Sequence, residues 1–190
     1  MADSFRTFIA AELPTEIKKI IHEAQNALKK SNSAVTWVKP DNAHLTLKFL
    51  GDVPLENIKE IERILTDIVR NKKSIDSALT TLGAFPKIDH PQIIWIGLED
   101  DFKIIEELAV SVEEELNKFG FKKEARAFSP HITIGRVKSS KNVELLSQEI
   151  KNYSPPAIPF TIKNIALFES TLTPSGPVYK ELLRVALGQG

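Results

Sequence analysis

The string HLTLKFLG (residues 44–51) returns in altered form as HITIGRVK (131–138), so two of the four histidines stand in one setting, each followed two positions on by threonine. In an extended strand alternate side chains share a face. His44 and Thr46 therefore point one way, with Lys48 continuing their face, while Leu45, Leu47 and Phe49 point into a core. His131 and Thr133 pair in the same manner, opposite Ile132 and Ile134. One histidine on a strand is usually a packed or solvated residue. Two with the same threonine offset, in matching halves, indicate one shared site if the halves pack about a pseudo-twofold axis.

Free imidazole titrates at about 6.5, so near neutrality one ring can be neutral while its partner carries a proton. A base and an acid on opposite sides of a reacting centre suit in-line displacement at phosphorus. Threonine hydroxyls can donate to the non-bridging oxygens. The surroundings of the second motif are basic: Lys122, Lys123, Arg126, Arg136, Lys138 and Lys141 face a single acid, Glu124. Arg136 is the best placed to clamp a phosphate. Strict alternation turns it away from His131, so Gly135 must mark a bulge or the strand end.

Metal chemistry is not expected. Cysteine is absent, threonine is a poor zinc ligand, and the string begun by His22 and Glu23 has Asn26 where an HExxH motif needs its second histidine. No cofactor motif is visible. His22 lies on the polar side of its helix and His90 in a turn.

These residues need strands to hold them, and two hydrophobic periods alternate along the chain. Strand patterns cover 5–13, 36–38, 44–50, 77–85, 92–98, 131–137, 159–170 and 177–187; helical stripes fall near 15–30, 55–70, 101–120 and 142–152. Gly120 stands at a C-cap position. A histidine strand followed by a helix occurs once per half, as in a duplicated α+β unit, and the prolines of 153–159 read as a stiff connection.

With 190 residues, 42% apolar and 26% charged, the chain suits one folded unit over 1–190. Its 25 basic and 25 acidic side chains cancel, so any RNA contact must rest on a local patch. No run is long enough to span a membrane, no leader is visible in MADSFRTFIA, and a cytoplasmic protein is expected.

HLTLKFLG and HITIGR resemble the paired His-x-Thr-x motifs of two-histidine phosphoesterases. More closely, the chain resembles the RNA 2′,3′-cyclic phosphodiesterase family, also called 2′-5′ RNA ligases. The likeness includes RTFIAAELP, WVKPDNAHLTLKFLG, IIWIGL, AFSPHITIGRVK and STLTPSGPVY. It implies a bilobed α+β fold with two antiparallel sheets and outer helices around a V-shaped cleft, the chain passing between lobes. It also implies metal-independent hydrolysis of an RNA 2′,3′-cyclic phosphate to a 2′-phosphomonoester by a monomer. Its substrates would be RNA ends, tRNA-derived ones among them, or cyclic nucleotides. In that scheme His131 is the base, His44 the acid, and Thr46, Thr133 and Arg136 hold the phosphate. The same site run in reverse would be a 2′-5′ RNA ligase, and a non-catalytic nucleotide- or RNA-binding module is the alternative of another class. Gln92 stands where many members carry arginine. Phe8 and Phe49 offer rings for a terminal base, although alternation sends Phe49 coreward.

Overall fold

Pro14 ends the first extended segment, and the helix after it buries Ile17, Ile20, Ile21, Ala24 and Leu28, the stripe its 3.6-residue period requires. The same logic fixes the rest of the computed structural model, which describes residues 4–99, 103–174 and 176–188. Its elements are β1 (Ser4–Glu12), α1 (Thr15–Lys29), β2 (Val35–Trp37), β3 (His44–Pro54), α2 (Ile58–Val69), β4 (Ile75–Lys87) and β5 (His90–Leu98), then α3 (Ile104–Lys118), β6 (His131–Val137), α4 (Val143–Asn152), β7 (Pro159–Ile162), β8 (Asn164–Thr173) and β9 (Gly176–Ala186). Asp101 and Phe102, read as the start of the third helix, and Ser175 lie outside the described residues.

The fold is α+β with two antiparallel sheets. One has the order β3-β1-β8-β9, the other β2-β6-β5-β4-β7. Helices α2 and α3 back the first sheet, and α1 and α4 back the second. A single apolar cluster runs under both. The strand sequences β3-β1-β8-β9 and β6-β5-β4-β7 correspond, and in both halves the helix after the second-named strand crosses to back the other sheet. The duplication is therefore interleaved.

Several boundaries differ from the sequence reading. Strand β3 continues past Gly51 to Pro54, because Gly51 takes a φ of 74° and lets the strand bend without ending. Leu55 is 59% exposed in a 3-10 turn and leaves the α2 stripe. The run 159–170 divides into β7 and β8, which belong to different sheets. Gly120 does cap α3: with φ 105° it lets the Phe121 N–H reach the Leu116 carbonyl at 3.0 Å.

The departure that matters most lies just after each histidine. On β3, Thr46 pairs with Ala10 and Lys48 with Ile9, so Leu47 is an extra residue. On β6, Thr133 pairs with Trp95 and Gly135 with Ile94, so Ile134 is extra at the equivalent place. A bulge reverses the alternation beyond it. Lys48 and Gly135 accordingly turn inward, and Phe49 and Arg136 turn outward. The expectation that Lys48 continues the histidine face and Phe49 enters the core is thus corrected.

Both bulges are held from behind by buried polar groups. On β6, the Gln25 amide of α1 donates to the Ile134 carbonyl at 2.9 Å and the Val38 carbonyl at 2.7 Å. On β3, the Lys48 ammonium, its side chain fully buried, sits 2.7 Å from Glu113 of α3 and donates to the Lys122 carbonyl at 2.9 Å. Glu113 also accepts the Glu124 N–H at 2.6 Å. This ties the strand of His44 to the loop that leads into His131. A buried charge stripped of its partner is strongly destabilising, whereas replacing both partners by apolar groups is often tolerated. Glu113→Ala is expected to lower stability in urea denaturation by about 3–5 kcal/mol. Lys48→Met combined with Glu113→Leu should recover most of that loss, and wild-type stability in Glu113→Ala would refute the role given to the pair.

Candidate active site

His44 opens β3 and His131 opens β6, two strands that adjoin where the sheets meet. Each ring is fixed by the same local contact. The His44 Nδ1–H donates to the Asn42 carbonyl at 2.7 Å, and the His131 Nδ1–H to the Ser129 carbonyl at 2.7 Å. A carbonyl can only accept, so Nδ1 holds the hydrogen and Nε2 presents its lone pair away from the backbone. The paired rings thus expose two Nε2 atoms able to take up or release a proton.

The two environments are not equal. Under His44 lies Phe8, 3% exposed, stacked at 4.7 Å between ring centroids, with Tyr179 edge-on at 5.4 Å. Burial against these rings lowers the His44 pKa to about 4, helped by the Lys18 charge and opposed by the Asn42 hydrogen bond. His131 meets Phe85 edge-on at 5.1 Å and Trp95 at 6.4 Å. The indole lies across Gly83, where a Cβ would run into the ring, so β4 and β5 need glycine there. Trp95 Nε1 is buried without a hydrogen-bond partner among the described residues.

Thr46 and Thr133 are half-buried beside their histidines, on the same strand faces, and neither hydroxyl is engaged by another described residue. Arg136 is exposed, and the bulge at Ile134 brings it to the His131 face. Its charge reaches Tyr179 on the other sheet: burial raises the phenol pKa, while Arg136 and Arg6 pull it down. Of the basic residues near the second motif, Lys122, Lys123 and Arg126 are solvated on the loop before His131. His22, His90 and Gln92 are exposed, and none joins the pair. Phe8 is too buried to meet a ligand, whereas Phe49 is 57% exposed. Gln25, Glu113, Trp95 and Tyr179 were not found by sequence reasoning; only the buried polar positions on helical stripes could have signalled the first two.

Surface concavities of about 380 Å³ beside Arg63 and Ser111 and about 870 Å³ beside His90 and Lys151 are not lined by His44 or His131. Among the described residues, no three His, Cys, Asp or Glu side chains are grouped so as to hold a metal ion, and no helix is long and apolar enough to cross a membrane.

Two adjoining strands, one from each sheet, thus each present an imidazole and a threonine hydroxyl at the junction of the sheets. Residues 11–173 match the family model described as the 2′-5′ RNA ligase superfamily, and the chain belongs to that family. It is 37% identical over 176 residues to an RNA 2′,3′-cyclic phosphodiesterase of Methanocaldococcus jannaschii, covering 92% of this chain and 96% of the relative. It is likewise 37% identical over 177 residues to one of Thermotoga maritima, covering 93% and 92%. Among solved structures, E. coli LigT complexed with 3′-AMP superposes with a TM-score of 0.81 at 25% identity, covering 98% of this chain and all of that one. TT0787 of Thermus thermophilus gives 0.82 at 25% identity, covering 97% and 100%.

The His44 shift has a consequence for stability. Its proton binds more weakly in the folded chain than in the unfolded one, so folding is favoured above about pH 6.5, and that contribution is lost as the pH falls through about 4. Wild type should lose on the order of 2 kcal/mol more stability than His44→Gln between pH 7 and pH 4 in urea titrations. Equal losses would show that the ring is not desolvated.

Proposed function

We propose that the chain hydrolyses RNA 2′,3′-cyclic phosphates to 2′-phosphomonoesters, with His131 as general base and His44 as general acid. The observation that carries this reading is the matched pair of Nδ1–H···O=C hydrogen bonds, which leaves both Nε2 atoms free for proton transfer. The names of the relatives supply the substrate class.

The phosphorus sits between the two imidazoles. His131 Nε2 takes a proton from water as the water oxygen bonds to phosphorus; the P–O3′ bond breaks, and His44 Nε2–H protonates the departing oxygen. Thr46, Thr133 and Arg136 hold the non-bridging oxygens, where charge accumulates. An empty site keeps His44 neutral, so the anionic phosphodiester itself draws the proton that the acid needs. The imidazolium so formed is a far stronger acid than an alcohol and gives that proton to the departing alkoxide. Solvent exchange then resets both rings. No metal is required by this scheme, and residues 1–190 act as one unit. A monomer carries both imidazoles.

On an oligoribonucleotide ending in a 2′,3′-cyclic phosphate, His44→Ala and His131→Ala should each lower kcat/KM by about 10²–10⁴ with unchanged circular dichroism. An aryl phosphodiester, whose leaving group needs no proton, separates the roles: His44→Ala should lose far less on it, and His131→Ala as much as before. The reverse order would exchange base and acid. Wild-type turnover in either variant, or loss of activity with chelators, would refute the scheme, and a 2′,5′-linked product from added 5′-hydroxyl RNA would indicate ligation.

A further inference from the structure

Asn42, half-buried in the turn before β3, makes two contacts, and only one has been given a role so far. Its backbone carbonyl accepts the His44 Nδ1–H at 2.7 Å. Its side-chain amide reaches the other way and donates to the Pro177 carbonyl of β9 at 2.9 Å, across a sequence separation of 135. β3 and β9 are the two edges of one sheet, with β1 and β8 between them. In a flat sheet those edges would lie ~14 Å apart, three strand spacings. The amide therefore joins the two ends of a curled sheet directly.

Tyr179 lies two residues beyond Pro177, so alternation puts both on one face of β9. Its ring stands edge-on to Phe8 at 4.9 Å and to His44 at 5.4 Å. An imidazole enclosed in this way is disfavoured as the cation. The second motif lacks the device. Ser129 fills the place of Asn42 before His131 and offers the same backbone contact, but it is exposed, and its hydroxyl holds no strand among the described residues.

We propose that Asn42 is a positioning residue of the site: its amide latches β9 to the turn before β3 and so keeps Tyr179 against the His44 ring. One residue then fixes both the direction of the imidazole, through its carbonyl, and its enclosure, through its side chain. The proposal rests on the hydrolase reading only for the task of His44 as acid. The charged and titratable groups around His44 are Lys18 of α1, which donates to the Asp41 carbonyl at 3.3 Å, Asp41 itself, and Glu12, cross-strand on β1 and ion-paired with Arg184 at 2.8 Å. Tyr179 and Arg6 face it from the same sheet, and Arg136 and His131 from β6. An alanine at 42 adds and removes no charge and keeps the backbone carbonyl.

The test reads the ring itself, by NMR titration of the His44 Cε1–H signal, assigned with His44→Gln. In Asn42→Ala the midpoint should rise from about 4 toward the ordinary 6.5 by about one pH unit, the worth of one hydrogen bond. Tyr179→Ala should raise it at least as far, and Asn42→Ala added to Tyr179→Ala should raise it no further, because the amide acts through the ring. Tyr179→Phe, which keeps an enclosing ring, should titrate as wild type does. On the cyclic-phosphate oligoribonucleotide Asn42→Ala should lower kcat by up to about 10²-fold with KM little changed. It should lose far less on the aryl phosphodiester, whereas a purely structural role would depress both alike. An unmoved midpoint in Asn42→Ala, additive shifts in the double variant, or equal losses on the two substrates would overturn the proposal. The predicted midpoints in a protein whose wild type fails to hydrolyse cyclic phosphates would sustain the latch and sink the hydrolase reading.

Discussion

A bulge just after each of two His-x-Thr triplets decides which way the residues beyond it point. Leu47 and Ile134 follow their His-x-Thr triplets at the same distance, and each reverses the side-chain alternation beyond it. Without them, Phe49 and Arg136 would face the core and Lys48 the cleft. A bulge leaves backbone groups unpaired within the ladder, which in a buried strand is costly unless another group takes them up. The two bulges are backed by different groups. A neutral glutamine amide from α1 bonds the bulged carbonyl of β6, while on β3 the inward-turned lysine is neutralised by a carboxylate from α3. The helices correspond in the duplication; the chemistry does not.

That divergence extends to the imidazoles. Their backbone contacts are alike, yet the ring of His44 is enclosed by Phe8 and Tyr179, and the ring of His131 meets Phe85 and Trp95 at their edges. Symmetric scaffolding with unequal packing suits a reaction that asks one group to accept a proton and the other to give one. Trp95 needs glycine at 83 to lie flat, and Gly135 needs no side chain because Trp37 and Val35 come within 3.1 Å of where its Cβ would be. Glycine here is a spacing device for indole rings.

Much of the architecture was legible in the residues, because long stripes such as Ile61, Ile64 and Leu65 leave few alternatives. The two histidines were legible from their repeated context. The bulges were half legible: Gly135 advertised one, and nothing in LTLKF advertised its counterpart, since a lysine ordinarily belongs on the wet face. Lys48 is buried because Glu113, far along the chain, waits for it, and no local pattern encodes that meeting. The division of 159–170 between two sheets was illegible for a similar reason. Lys163 interrupts neither the period nor the polarity enough to announce a change of partner.

The weaving of the chain has a mechanical result. β1 lies in one sheet, β2 in the other and β3 back in the first, and the passage is made again between β7 and β8. No single cut in the sequence separates one sheet from the other. The two walls cannot swing far apart as independent bodies, because each is stitched to its neighbour by short lengths of polypeptide that would have to leave their hydrogen-bonded places. The relative placement of the two imidazoles is thereby set by topology.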